Sequence, residues 1–490
     1  MQGATNKNTV QSDSAELHAL GYKQQLNRTM GGFSSFAISF SLISVLTGIY
    51  ANFNFGFAQV GGAIVWSWLL VGAGQFLVSL VMADLSTHFP ISGYGYQWTS
   101  RLVNPHFGFF VGWFLLAQFI TGFPGTSQAM AVTLNTMLGG ESSGWVVSLI
   151  TLIIITAVTI IHIFGIRIVS LVNNLGVYAE LAGVVFLIVA LAIVWIAAGA
   201  VNSENLLKSV NVVAKNSAVF SAFALSLLLG AWCLTGFEAA ADLAEETQSP
   251  REHVPRAVIL SQLSAALAGF IFLVMLVLSA GNIGEAQGSS NALISILENA
   301  LGTRATAASG IIVMISIFAC AVASMATATR LLFSMSRDNM LPFSSFMAKV
   351  NEKRQTPQIA TLVIWFFSAL IVLLFRRIEI ITSVGALAAY LGYAGIMLST
   401  LITKRKLKAT TGFSLGKWKM PVQLLALIWT LVVVAALSIP ETDIPGVNWK
   451  HLPAFMATIV TATGTVFYFM YVRQKINKGI AGPPAALNNQ

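Results

Sequence analysis

The strongest indication of the fold comes from two short segments, Ser44-Val-Leu-Thr-Gly48 and Gly230-Ala-Trp-Cys-Leu-Thr-Gly236-Phe-Glu238. Each interrupts an apolar run that is long enough to span a bilayer, and glycine and hydroxyl residues at mid-depth loosen a helix. Unpaired backbone is tolerated at that depth only where it lines a cavity. Close helix packing explains either stretch taken alone. The two stretches fall in the first and the sixth apolar run, and this matched pair predicts an inverted-repeat transporter with its site at mid-membrane.

The composition requires a bilayer around most of the chain. Of 490 residues, 56% are hydrophobic and 9% are charged, whereas a soluble domain has about 25% charged residues. Because a spanning helix needs about 20 apolar residues, the chain is predicted to be an all-α membrane protein with about twelve transmembrane helices. The predicted spans are 32–56, 61–87, 105–138, 144–164, 168–199, 216–241, 255–281, 303–337, 359–376, 380–402, 420–439 and 452–473. Residues 291–301 are too short and polar to span and predict an interfacial helix.

Basic residues in the loops predict the orientation. If residues 1–30 are cytoplasmic, 20 of the 27 Lys and Arg fall on that side, 6 fall on the other side, and Arg330 lies inside the eighth span. By the positive-inside rule, both termini are expected in the cytoplasm, with the chain in the plasma (inner) membrane. The net charge of +9 therefore indicates membrane orientation and not a nucleic-acid partner.

Residues 1–30 lack an apolar run, so no cleavable signal peptide is expected. Cys233 and Cys320 lie inside apolar runs and are expected to be small packing residues.

Three motifs carry a resemblance to a known family. They are Pro90-Ile-Ser-Gly-Tyr-Gly-Tyr96, Gly236-Phe-Glu238 with Glu245-Glu246 and Pro255-Arg-Ala257, and Arg330-Leu-Leu-Phe-Ser-Met-Ser-Arg337-Asp-Asn-Met-Leu-Pro342. In these motifs the chain resembles the amino acid–polyamine–organocation permeases, most closely their amino acid/choline branch. Tyr94 and Asn339 depart from the pattern, because the family has glycine at both positions.

The resemblance implies a domain organisation and a mechanism. The fold would be two inverted five-helix repeats, about 31–200 and 214–402, plus two extra helices at about 419–474. A cytoplasmic N-terminal segment (1–30) would precede the transporter domain (31–475), and a cytoplasmic tail (476–490) would follow it. The implied function is alternating-access transport of an amino acid or a small amine, and the resemblance does not determine which solute.

An amino acid offers a carboxylate and an ammonium, and the two breaks can bind one each. The first break offers backbone N–H groups and a positive helix end to the carboxylate, with candidate residues Ser44, Thr47, Gly48 and Ile49. The second break offers carbonyls to the ammonium, with candidate residues Cys233, Leu234, Thr235 and Gly236. The alternative is that Ser44 and Thr47 bond only to their own helix.

Aromatic and amide residues supply further candidates. Trp113, Gln118, Phe119, Tyr390 and Tyr393 are candidates for lining the cavity from the third and tenth spans, with core packing as the alternative. By resemblance, Trp232 would be a gate that closes over the solute. Packing inside the protein or against lipid is the alternative for this tryptophan.

Two carboxyls, Glu180 and Glu238, lie well inside predicted spans, where a charge is costly, so both are candidates for energy coupling. The resemblance implies a lysine near position 180 in proton-coupled relatives, and a carboxyl stands there instead. We expect proton coupling through Glu180, with a structural role as a partner for the first or eighth span as the alternative. We expect Glu238 to hold the unwound segment or couple gating, with a purely structural role as the alternative. Sodium needs hard oxygen ligands, and the eighth span has no adjacent hydroxyl pair at the right depth. Ser324 and Thr327 are hydroxyl residues of the same span, so sodium coupling stays an alternative.

Other functional classes receive less support from the sequence. There is no P-loop and no Cys/His cluster with metal-ligand spacing, so neither an enzyme nor a cofactor is expected. A channel or membrane receptor, and a sodium-coupled or uncoupled exchanger of amines or polyamines, remain as alternatives. The expected partners are an amino acid or amine, protons and membrane lipid, and the protein is expected to be a monomer or homodimer.

Overall fold

The structure is a computed structural model, and it describes residues 13–140, 144–199, 202–208, 216–289, 291–375, 378–403, 407, 412–438 and 452–485. Several predicted loop charges lie outside these residues, as do both extreme termini. The charges concerned are Lys7, Lys215, Arg376, Arg377, Lys404, Arg405, Lys406, Lys408 and Lys450. Within the described ranges the protein is helical and forms no β-strand, which confirms the predicted all-α membrane fold.

The first half of the chain contains α1 (Gly32–Ile43), α2 (Val45–Val60), α3 (Ile64–His88), α4 (Tyr94–Leu102), α5 (Pro105–Met137), α6 (Trp145–Phe164) and α7 (Ile166–Ala197). The second half begins with α8 (Asn216–Cys233), α9 (Ala239–Asp242), α10 (Pro250–Leu278), α11 (Ile283–Gly288), α12 (Ala292–Leu301) and α13 (Thr303–Arg337). It continues with α14 (Ser344–Met347), α15 (Gln358–Leu374), α16 (Ile378–Ile402), α17 (Lys419–Leu437), α18 (Leu452–Phe467) and α19 (Arg473–Asn477). Helix α4 was not predicted, because its polar sequence is typical of a loop.

Nine helical segments in the described ranges are long and apolar enough to cross a membrane. One of them, Gly32–His88, has 57 residues, and at about 1.5 Å per residue it is long enough for two crossings. Two more predicted spans correspond to the shorter apolar helices Ser221–Cys233 and Gln358–Leu374. The count of about twelve therefore stays a prediction.

Both helix breaks lie where the sequence predicts them. Ser44 has φ 34° and ψ 94°, a backbone conformation outside the helical region, so it ends α1 and begins α2. Helix α8 ends at Cys233, and helical structure resumes only at Ala239. The residues between them, 234–238, form the unwound segment of the sixth span.

Helix α13 is the central helix, and it packs against α1, α5 and α7. Its residues from Cys320 to Ser336 are all buried. Helix α2 packs along α8, and α16 packs along α5. Large apolar side chains are exposed along α7, among them Leu175, Val185 and Ile193, as expected of a face turned to lipid.

Candidate functional site

The two breaks touch each other at mid-protein. The Cα of Gly48 lies so close to Cys233 that a Cβ at position 48 would overlap its sulfur. Gly236 has φ +107°, and a Cβ there would lie 2.6 Å from Cγ of Leu42. Glycine is required at both positions because the neighbouring chain occupies the space of a side chain, and at Gly236 also because φ is positive.

Two thiols meet carbonyls at the break between α1 and α2, where the last carbonyls of α1 have no helical partner and the Ser44 carbonyl already accepts the Gly48 N–H. The Cys233 thiol lies 3.6 Å from the carbonyl oxygens of both Ile43 and Ser44, and the Cys320 thiol lies 3.3 Å from that of Leu42. The two cysteines are therefore more than the packing residues that we expected. A thiol is a weak donor, and a carbonyl has two lone pairs, so these carbonyls keep acceptor capacity for a ligand.

A small cavity lies beside the two breaks. It is lined by Leu42, Ile43, Thr47, Gln118, Phe119, Gly122, Thr126, Trp232, Thr235, Gly236, Cys320, Ser324 and Gly385. Six candidates from the sequence are among them: Thr47, Gln118, Phe119, Trp232, Thr235 and Gly236. The Trp232 ring is half-buried and lies against Gly125 of α5.

Five other candidates lie behind the cavity wall. Ser44 Oγ is 2.6 Å from Thr47 Oγ1, and it accepts the Thr47 N–H at 3.3 Å. The Gly48 N–H donates to the Ser44 carbonyl at 3.0 Å. These N–H groups are thus engaged inside the protein, contrary to the expectation that a carboxylate would find them open. Ile49, Cys233 and Leu234 are buried, and the Leu234 carbonyl accepts from Gln75 Nε2 at 3.0 Å.

Three aromatic candidates, Trp113, Tyr390 and Tyr393, are not among the residues that line the cavity. Trp113 Nε1 donates to the Val460 carbonyl at 2.8 Å, and its ring stacks on Phe467. Trp113 and Gln118 are five residues apart, which is about 140° around an α-helix, so they cannot share a face of α5. Tyr390 is completely buried beside Tyr393, with ring centroids 5.7 Å apart. For Trp113 and Tyr390 the packing alternative holds.

Glu238 holds the unwound segment together. Its Oε2 accepts the Gly236 N–H at 3.0 Å, and its Oε1 accepts from Tyr393 Oη at 2.6 Å and from Gln118 Nε2 at 3.1 Å. The carboxyl is completely buried. It therefore connects the break in the sixth span to α5 and α16.

Glu180 lies behind the other break. Its Oε1 accepts the Leu46 N–H at 3.3 Å, and the residue is 1% exposed. Leu46 is in the first turn of α2, where N–H groups have no helical partner. Glu180 is thus a capping carboxyl for α2 and does not line the cavity.

Six lining residues were not singled out from the sequence for any ligand, and Ser324 entered only as a hydroxyl that left sodium coupling open. The six are Leu42, Ile43, Gly122, Thr126, Cys320 and Gly385. For Gly122 and Thr126, which belong to the third span, the sequence does contain a signal, because Pro124 stands inside α5. A proline inside a helix removes a hydrogen bond and marks an irregularity. The sequence Pro124-Gly125-Thr126 could therefore have identified this wall of the cavity.

The three motifs that carry the family resemblance meet in a cluster of charges at one end of the bundle. This charge cluster consists of Asp242, Glu245, Glu246, Arg330, Arg337 and Asp338. Arg330 binds Glu246 with two hydrogen bonds of 2.9 Å, and Arg337 binds Glu245 with bonds of 2.9 and 3.0 Å. Asp242 accepts the Gly93 N–H at 2.6 Å. The cluster ties α9 and the residues after it to α13 and to the loop before α4.

The N-terminal segment docks on this charge cluster. Tyr22 Oη lies 2.8 and 2.9 Å from the two carboxylate oxygens of Asp338, and the Arg337 guanidinium lies 3.8 Å from the Tyr22 ring centroid. Burial, and then the Asp338 carboxylate, raise the pKa of Tyr22 far above its usual value, so its hydroxyl stays a donor. The Met30 N–H donates to the Glu246 carbonyl at 2.9 Å. No sequence signal pointed to this docking.

The C-terminal tail contacts the charge cluster at Asp338 and the adjacent Asn339. The Gly482 N–H donates to the Asp338 carbonyl at 2.9 Å, and Asn339 Nδ2 donates to the Ile480 carbonyl at 3.2 Å. Among the described residues, no group of three His, Cys, Asp or Glu side chains is placed to hold a metal ion.

Comparison with known proteins agrees with this architecture. The sequence profile described as "Amino acid permease" matches residues 30–463. The amino-acid permease BAT1 of Arabidopsis thaliana is 27% identical over 495 residues, covering 94% of this chain and 95% of the relative. The amino-acid permease BAT1 homolog of Oryza sativa subsp. japonica is 28% identical over 462 residues, covering 87% of each chain. The chain therefore belongs to the amino acid permease family of the amino acid–polyamine–organocation superfamily, and it is a multi-pass membrane transporter and not an enzyme.

Proposed function

We propose that the protein is a secondary active transporter that carries an amino acid or a small amine by alternating access. The observation that carries this proposal is the cavity between two unwound helix segments at mid-protein. Irregular backbone at that depth is stable only where protein or a cavity surrounds it, and it offers main-chain groups to a solute. The relatives named as amino-acid permeases support the same solute class. The membrane is the plasma (inner) membrane, with both termini in the cytoplasm.

The two helix ends at the break in the first span, the end of α1 and the start of α2, bind the two charges of an amino acid. The ammonium binds the carbonyls at the end of α1, where Leu42 and Ile43 line the cavity and the C-terminal helix end is negative. The carboxylate binds the Thr47 hydroxyl at the positive start of α2. The N–H groups of that first turn are used within the protein, so Thr47 and the helix dipole replace the bare N–H groups that the sequence predicts. Trp232 closes over the solute from α8.

Uptake is coupled to a proton through Glu180. The carboxyl accepts the Leu46 N–H one residue before Thr47. A protonated carboxyl is a weaker acceptor, so protonation loosens the first turn of α2, to which Thr47 belongs. The proton and the solute thus act on the same helix end. This arrangement favours symport over the uncoupled exchange that is the alternative.

Two measurements test the proposal. Thermal unfolding of the purified protein is followed with amino acids, 4-aminobutyrate, choline and polyamines, because a ligand stabilises the folded state by RT ln(1 + [L]/Kd). Proteoliposomes loaded with the best ligand should then accumulate labelled ligand by counterflow. A channel does not show counterflow, so its absence with a binding ligand would refute transport. Absence of any stabilising ligand in this panel would refute the solute class.

A further inference from the structure

The cavity wall contains no charged side chain among its described lining residues, and its polar side-chain groups are hydroxyls, one thiol, the amide of Gln118 and the indole N–H of Trp232. A charged side chain on the solute would lose its hydration there without gaining a partner, which is costly. The inference below rests on the proposed function and specifies the solute of that same cavity. The wall favours a solute whose side chain is neutral.

Gln118 brings an unused acceptor to this wall. Its side chain is 6% exposed, its Nε2 donates to Glu238 at 3.1 Å, and its Oε1 is buried without a hydrogen-bond partner in the described structure. A buried acceptor that is left unpaired costs free energy. In a residue that lines a binding cavity, a solute donor can remove that cost.

Glu238 determines which end of the amide faces the cavity. A carboxylate only accepts hydrogen bonds, so the Gln118 amide must direct its NH₂ group to Glu238. The Tyr393 hydroxyl and the Gly236 N–H hold the same carboxylate in place. The amide therefore cannot turn round, and Oε1 is left for the cavity. Glu238 is not among the residues that line the cavity, and three protein donors already bind it, so a cation on the solute does not reach this carboxylate.

We infer that Gln118 Oε1 accepts a hydrogen bond from the side chain of the solute, with Glu238 as the positioning residue behind it. The site then selects neutral amino acids whose side chains carry an N–H or O–H donor, such as glutamine and threonine. Apolar amino acids of the same shape leave Oε1 unpaired. Polyamines bring charges that the wall does not pair.

The test compares isosteric solutes on the full-length protein. Equilibrium binding is measured for L-glutamine against L-methionine, for L-threonine against L-valine, and for putrescine. A net hydrogen bond and the relief of a buried acceptor predict about a ten- to hundredfold tighter Kd for the donor-bearing member of at least one pair. Putrescine should bind more weakly than either member. Equal affinity within both pairs, or tightest binding of putrescine, would overturn the inference.

Variants assign the selectivity to Gln118. Gln118→Met keeps the side-chain volume and should reduce the preferred pair's ratio of dissociation constants to about one. Glu238→Gln should also reduce the ratio, because its amide can face either end of Gln118, and a purely structural role for Glu238 would weaken both members equally. Gln262→Met is the matched control, because Gln262 is a completely buried glutamine of α10 outside the cavity. It should keep the parent's ratio.

Each outcome has one meaning. If Gln118→Met weakens both members equally, Oε1 binds a group that all amino acids share, and the inference is wrong. If Gln118→Met does not fold, Gln118→Asn replaces it, because the shorter amide should lose the ratio while staying polar. If no amino acid binds to the parent, the proposed function fails before the inference is reached.

Discussion

The contact between the two breaks can be tested by enlarging Gly48. In Gly48→Ala the new Cβ would overlap both Sγ and Cβ of Cys233, so α8 must move away from α2. Overpacking of this kind costs up to about 3 kcal/mol, and the better helix propensity of alanine returns about 1 kcal/mol. We expect a net loss of about 2 kcal/mol in the free energy of unfolding, measured by denaturant titration in detergent.

A double-mutant cycle with Cys233→Gly isolates the contact. That change removes the two atoms that would overlap and leaves the Cys233 Cα 3.2 Å from the new Cβ, a distance that needs only a small shift. The double variant should therefore recover most of the 2 kcal/mol relative to the sum of the single changes. Gly31→Ala is the control, because no atom lies within 4 Å of its added Cβ. A coupling energy below about 0.5 kcal/mol would refute the packing of the two breaks.

Four further results are expected. Glu180→Gln should keep solute exchange but lose accumulation driven by a pH gradient, and accumulation equal to the parent's, or driven only by sodium, would exclude this coupling. Trp232→Leu should reduce transport more than equilibrium binding, so a transport loss equal to the affinity loss would contradict a gate. A cysteine in a tag placed after Gln490 should resist an impermeant reagent outside intact cells, whereas labelling would reverse the orientation. Tyr22→Phe should raise the transport rate by freeing the N-terminal segment from Asp338, and an unchanged rate would show that this bond does not limit transport.

The breaks were predictable because their signals are local. Glycine and hydroxyl residues in the middle of an apolar run mark lost helical structure without any knowledge of the neighbouring helices. The side of α5 that faces the cavity was not predictable in the same way. That helix is buried on several sides, so its sequence has no polar stripe to distinguish Gln118 from Trp113. Cys320 of α13 and Gly385 of α16 were missed as cavity residues for the same reason.

The docking of the N-terminal segment could not be predicted from sequence. The bond from Tyr22 to Asp338 joins residues 316 positions apart, and nothing near Tyr22 in the sequence identifies its partner. A polar segment before the first span is typical of a free tail. Its burial depends on charges that only the folded bundle brings together.

The docked segment has a kinetic consequence. Tyr22, Arg28 and Met30 bind groups from different parts of the chain, namely Asp338, the Thr247 carbonyl and the Glu246 carbonyl. If the bundle opens at this end, these bonds must break in the same event. A barrier composed of many simultaneous bond ruptures has a large activation enthalpy, so turnover should rise steeply with temperature. A chain that lacks residues 1–30 should show a shallower Arrhenius slope for the turnover rate. The docked segment would then determine how strongly the transport rate depends on temperature.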